Sequence, residues 1–141
     1  VFLFFHLPFN GTYDDVADTM SLNQTTGRAA YFRTLFQKYP NVIWFTGHSH
    51  YNLWREGSTM DDGSNYVNPN IYQSDKSMTM VHVPSCAYIR PTDDYSSEDG
   101  HGSQGLLVDV FEDRVIIKGI DFTKGDGGAL IPKVTYVINA K

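Results

Sequence analysis

Five consecutive apolar residues, Val1-Phe2-Leu3-Phe4-Phe5, open the chain and give way to His6-Leu7-Pro8. A short continuous apolar run predicts a strand buried on both faces, and Pro8 ends its ladder because it has no N–H to donate. Asn10-Gly11-Thr12 is turn material. Phe32, Leu35, Phe36 and Tyr39 then recur at i, i+3, i+4 and i+7, the single apolar stripe of an α-helix. Asn23, Thr25 and Thr26 are its candidate caps and Pro40 its stop, so the helix is expected over about 25–39. A second buried strand, Val42-Ile43-Trp44-Phe45, leads into Gly47-His48-Ser49-His50. Strand, helix, strand is the pattern of a crossover between parallel strands.

Beyond it, apolar strands alternate with polar stretches. The stretch from Glu56 to Lys76 is too long for an ordinary connection and predicts a functional or family-specific insertion. Met78 to Val83 predicts a strand stopped by Pro84. Leu106 to Phe111 and Arg114 to Phe122 predict a hairpin about Glu112-Asp113, and Val134 to Ile138 a last strand. The fold class is therefore α/β: a βαβ unit, then mostly antiparallel strands in a second sheet. No repeat or domain boundary divides residues 1–141.

Composition narrows the function classes. A chain of 141 residues, 41% hydrophobic and 19% charged, is long and apolar enough to fold as a globular domain. A net charge of -5 makes the chain a poor non-specific binder of nucleic acid or membranes, and no nucleic-acid surface is evident. No run approaches the roughly 20 apolar residues of a membrane span. The single cysteine, Cys86, excludes an intrachain disulfide and a thiolate zinc cluster, and leaves the compartment undefined. Asn10-Gly11-Thr12 and Asn23-Gln24-Thr25 match the glycosylation pattern, which is too common to assign a secretory route.

The candidate chemistry lies in three histidines. His6 stands just past the first strand, and His48 and His50 just past the second. Parallel neighbouring strands would bring them to one carboxyl edge, where open α/β sheets bind ligands. Neutral imidazole is the commonest transition-metal ligand. Residues i and i+2 of an extended segment project to one side, and where the strand turns they can diverge toward two ions about 4 Å apart. Gly47 is expected to let the backbone bend there.

His6-Leu7-Pro8, the helix, and Trp44-Phe45-Thr46-Gly47-His48-Ser49-His50 resemble, in order and spacing, the C-terminal half of the calcineurin-like metallophosphoesterases. The resemblance is good over residues 1 to about 54 and looser over the later strands. It implies a two-sheet α/β sandwich and a dinuclear site of divalent or trivalent ions (Mn, Fe or Zn). His6 and His48 would ligate one ion and His50 the other, holding metal without transferring a proton. The implied reaction is hydrolysis of a phosphoester substrate by in-line attack of activated water. The family's Gly-Asp-x-x-Asp and Gly-Asn-His-Asp/Glu motifs do not occur in this sequence, and no Asp-x-His stands ahead of Gly47-His48-Ser49-His50. The chain is therefore expected to be a C-terminal fragment, inactive alone, that exposes an apolar edge beside Val1 to Phe5 and self-associates through it. The alternative is a non-catalytic module that uses the same fold for partner binding, its histidines being relics or a weak zinc site.

Other residues take plainer readings. His82 alternates within a strand and reads as a hydrogen-bonded core or sheet-face histidine. His101, between Gly100 and Gly102, reads as a solvated loop residue. Asp14-Asp15, Asp61-Asp62, Asp93-Asp94 and Glu98-Asp99 sit in turn-rich stretches where Asp caps backbone. Cys86 reads as a small buried residue, with no basic partner adjoining it. Gly125 to Gly128 lacks the Lys-Ser/Thr and helix of a phosphate loop. Tyr51, Asn10 and Arg90 could reach a substrate from loops, though ordinary loop polarity also accounts for them.

Overall fold

The computed structural model describes residues 1–8, 28–48, 50–53, 70–73, 77–87, 89 and 102–141. The chain forms two compact units, Val1–His48 with Glu56–His82, and Ser49–Arg55 with Val83–Lys141. A parallel-centred sheet with its helix, and a separate antiparallel sheet, place the protein in the α/β class. Among the described residues no helix is long and apolar enough to cross a membrane.

The first unit holds β1 (Phe2–Phe4), α1 (Arg28–Gln37), β2 (Ile43–Thr46), β3 (Ile71–Tyr72) and β4 (Thr79–His82). Its four strands run in the order β1-β2-β4-β3. β1, β2 and β4 are parallel and β3 is antiparallel to β4. Trp44 and Met80 are cross-strand partners and so share a face. On that face Phe36, Val42, Trp44, Met78 and Met80 form the core, with Leu3 and Phe32 packed against it. The Phe36 ring stands 5.2 Å from Trp44 at 65°, a tilted contact that suits the ring quadrupoles. After Gln37 the helix closes with Lys38 N–H to Leu35 and Tyr39 N–H to Phe36 carbonyls. Pro40 follows, so Tyr39 lies past the helix and is exposed, although it completes the apolar stripe in sequence.

β1 departs from the expectation of a strand buried on both faces. It occupies the sheet edge, with Val1 87% and Phe4 74% exposed and Phe2 and Phe5 also open. Among the described residues only β2 flanks it, so an interior-type sequence stands at the edge of the described sheet. Ring contacts hold the run down: Phe4 stacks on Phe45 at 5.1 Å, and Phe5 meets Trp44 edge-on at 5.8 Å. β3 emerges from the polar stretch that predicted no strand. Two residues are too few to show a period, and the pairing is set by β4, whose His82 N–H donates to Asn70 O at 2.8 Å.

The second unit is built on an antiparallel sheet of β5 (Gln104–Val110), β6 (Arg114–Asp121) and β7 (Ala129–Asn139), in that order. The β5–β6 hairpin turns where expected, closed by Phe111 N–H to Arg114 O at 2.9 Å. β7 begins five residues before the expected Val134 and runs through Pro132. An edge strand tolerates the missing donor, and the register shifts between Lys118 and Ile120 of its partner. Gly125, Gly127 and Gly128 turn the preceding loop with φ of 68°, 93° and 94°, values that side chains resist. Leu53, Ile131 and Val134 form the core, with Leu106 and Tyr136 against them. Cys86 is exposed, not buried as its sequence neighbours suggested. It lies in the bend after Pro84, where its thiol donates to Gln104 O at 3.4 Å.

Asp121, at the end of β6, is 2% exposed. Burial pushes its carboxyl pKa up. The Thr123 hydroxyl at 2.6 Å, the Thr123 N–H at 3.0 Å and the Lys124 ammonium outweigh this and hold it below the ordinary carboxylate range. A depressed folded-state pKa contributes stability above the unfolded value, and that contribution is lost as pH falls through the folded value. Thr123→Val removes the shorter bond, so the wild-type advantage should be full near pH 7. It should shrink in urea titrations as pH drops below about 4; an advantage unchanged down to pH 3 would contradict this. In the first unit, Phe36→Ala should cost about 3–5 kcal/mol in the same assay, through lost burial and the cavity under Trp44.

Candidate metal centre

The site begins with backbone. β1 and β2 pair in parallel as Phe2↔Ile43, Leu3↔Trp44 and Phe4↔Phe45. The ladder continues past both strands: Phe5 N–H donates to Phe45 O at 3.0 Å, and Gly47 N–H to His6 O at 3.1 Å. His6 and Gly47 therefore stand level, with His48 one residue further on. The two imidazoles meet, His6 Nε2 lying 2.9 Å from His48 Nδ1. Their ring centroids are 4.8 Å apart and the planes cross at 84°.

Two facing imidazole nitrogens at this separation share one proton, one ring donating N–H and the other accepting. The same spacing also suits a shared cation. Nitrogens about 2.0–2.1 Å from one ion, subtending about 90–110° at it, lie roughly 2.9–3.4 Å apart. His6 is exposed and His48 half-buried, so an ion has a path to the pair. Among the described residues no group of three or more His, Cys, Asp or Glu converges on one point. The pair thus fits two neighbouring positions of a coordination sphere and leaves the others to further ligands.

His48 has φ 81° and His50 φ 59°, the only described non-glycine residues in the left-handed region. Gly47, expected to supply the bend, is not among the glycines with positive φ. The turn is made by the histidines themselves, and the alternation of an extended strand does not govern where His48 and His50 project. Non-glycine residues held this way cost on the order of 1–3 kcal/mol, and such outliers gather at functional sites.

His50 belongs to the second unit, where its Nδ1 is buried. Tyr51, considered for substrate contact, is buried at 5% exposure and not held out on a loop. His82 is fully buried at the carboxyl end of β4, beside Thr46 in register, which agrees with its reading as a core or sheet-face histidine. Asn10, Arg90, His101 and the four acid pairs lie outside the described residues.

The strain at His48 has a direct test. His48→Gly and His48→Ala both delete the imidazole, but only glycine adopts φ 81° freely. The glycine variant should be the more stable of the two by about 1 kcal/mol in urea unfolding with equal m-values. An alanine variant of equal or greater stability would show that the left-handed backbone is not retained in solution.

No family model, curated protein or solved structure matches this chain, so the functional reading rests on the histidine pair and the residues that position it.

Proposed function

We propose that the chain is part of a metal-dependent phosphoester hydrolase, with His6 and His48 ligating one ion and His50 belonging to the second. The observation that carries this reading is the 2.9 Å approach of His6 Nε2 to His48 Nδ1 at the carboxyl ends of adjacent parallel strands. Supporting it are the Gly47-His48-Ser49-His50 spacing, its resemblance to calcineurin-like phosphoesterases, and the left-handed backbone of both motif histidines. Bound divalent or trivalent ions (Mn, Fe or Zn) would supply charge neutralisation at phosphoryl oxygens and activation of water.

The chain's own contribution is binding and orientation. The Gly47–His6 backbone bond holds the two ligand segments in register, so the imidazoles are pre-positioned and little ordering entropy remains to oppose binding. Exposure of His6 admits ligand from solvent. Neither His6 nor His48 is assigned a proton transfer.

Imidazole alone is a small share of the ligands such ions require. The chain by itself should bind manganese or zinc weakly, and more weakly still in acid, because an imidazole must be unprotonated to ligate. His48→Ala should remove most of that binding in isothermal titration, and His82→Ala should leave it unchanged. Nitrophenyl phosphate turnover should be negligible with either ion and should appear when a polypeptide carrying the family's carboxylate motifs is added. Robust turnover by the 141-residue chain alone would overturn the site assignment. Ion binding without turnover under every condition would favour the binding module.

A further inference from the structure

Gln104 opens β5 and is fully buried. It stands opposite Asp121 in the ladder, so both side chains occupy one face of the antiparallel sheet. Its Oε1 accepts from the backbone N–H of Leu53 at 2.8 Å. Its own backbone is tied on both sides, with N–H donating to Ser85 O at 3.2 Å and the carbonyl accepting from Cys86 Sγ. Its Nε2, by contrast, is a buried donor with no hydrogen-bond partner among the described residues.

Leu53 is seated from the other side as well. A Cβ added at Gly119 would lie 2.9 Å from Leu53 Cδ1 and 2.8 Å from Val134 Cγ1, so Leu53 occupies the space that the glycine leaves open. One side-chain acceptor and one glycine notch thus dock Leu53 on the sheet of its own unit. His50 stands three residues before Leu53, with its backbone in the left-handed region.

A buried amide with an unsatisfied donor is a poor choice for stability alone, because the desolvated N–H gains nothing in return. What Gln104 supplies is the acceptor at Leu53. We propose that Gln104 is a positioning residue for His50: it anchors the segment at Leu53 and so sets the orientation of the imidazole assigned to the second ion. The assignment rests on the metal-hydrolase reading above. Residues that hold a ligand's support in place commonly change metal affinity by about 10–100-fold when replaced.

The test uses three variants of the whole chain. Gln104→Leu removes the acceptor, Gln104→Asn keeps the amide but withdraws it by one methylene, and Gln104→Glu keeps an oxygen at full reach. Zinc is titrated while the imidazole NMR signals of His6, His48 and His50 are followed. The leucine and asparagine variants should weaken the His50 response at least about tenfold while the His6 and His48 responses stay unchanged, and the glutamate variant should restore it. Should the leucine variant not fold, the asparagine and glutamate pair gives the same comparison. A His50 response unaltered in Gln104→Asn overturns the proposal. If no imidazole of the unsubstituted chain responds to zinc, the metal reading has failed instead. The positioning role is then decided without metal. Amide exchange at His50 and Leu53 should quicken at least about tenfold in Gln104→Asn, with Ile117 unchanged as the control, and equal exchange at His50 overturns the role.

Discussion

The parallel hydrogen-bond ladder between β1 and β2 is the constraint on which the candidate centre depends. It does not stop with the strands. Gly47 N–H still reaches His6 O, so the two segments remain level where their sequences change from apolar to chemical. A one-residue slip would send every side chain of β1 to the opposite face and separate the imidazoles. Register is held by burial on one side, where Leu3 joins the Trp44 and Met80 core, and by the Phe4–Phe45 stack on the other. Packing along the two strands therefore helps determine the distance between the histidines.

Favourable packing nearby also sustains local costs. His48 and His50 adopt backbone angles that glycine would take more easily. Asp121 is buried with its charge, compensated by Thr123 and Lys124. Gln104 is buried with one donor unused. Asp121 closes β6 and Gln104 opens β5, and the Gln104 oxygen meets the buried Leu53. Rigid strands allow the chain to hold such groups where a loop would relax them.

The edge position of β1 shows how composition and topology can disagree. Val1 to Phe5 has the composition of a strand covered on both faces, yet among the described residues it has one neighbouring strand. Its apolar rings are partly satisfied by Phe45 and Trp44 and partly open to solvent.

Much of the order of elements was legible in the sequence, because periodicity reports directly on burial. The apolar run at Val1 to Phe5, the stripe through Phe36, the strand at Trp44 and the hairpin about Glu112-Asp113 all follow from spacing and from proline or acidic punctuation. Spacing also indicated that His6 and His48 would lie at matching strand ends. The apolar run by itself read β1 as covered on both faces; its place at an edge was expected only from the resemblance, since sheet order depends on which elements compete for its faces. The sequence did not reveal β3, which exists only because β4 offers it backbone partners. It placed the bend at Gly47, whereas the left-handed residues are His48 and His50. Gln104 carried no signal at all: one polar residue at a strand start looks like any other, and its role appears only when Leu53, distant in sequence, brings an N–H to its oxygen. Local pattern set what each segment would become, and long-range pairing decided which side chains meet, because backbone donors and acceptors find their partners only in the folded chain.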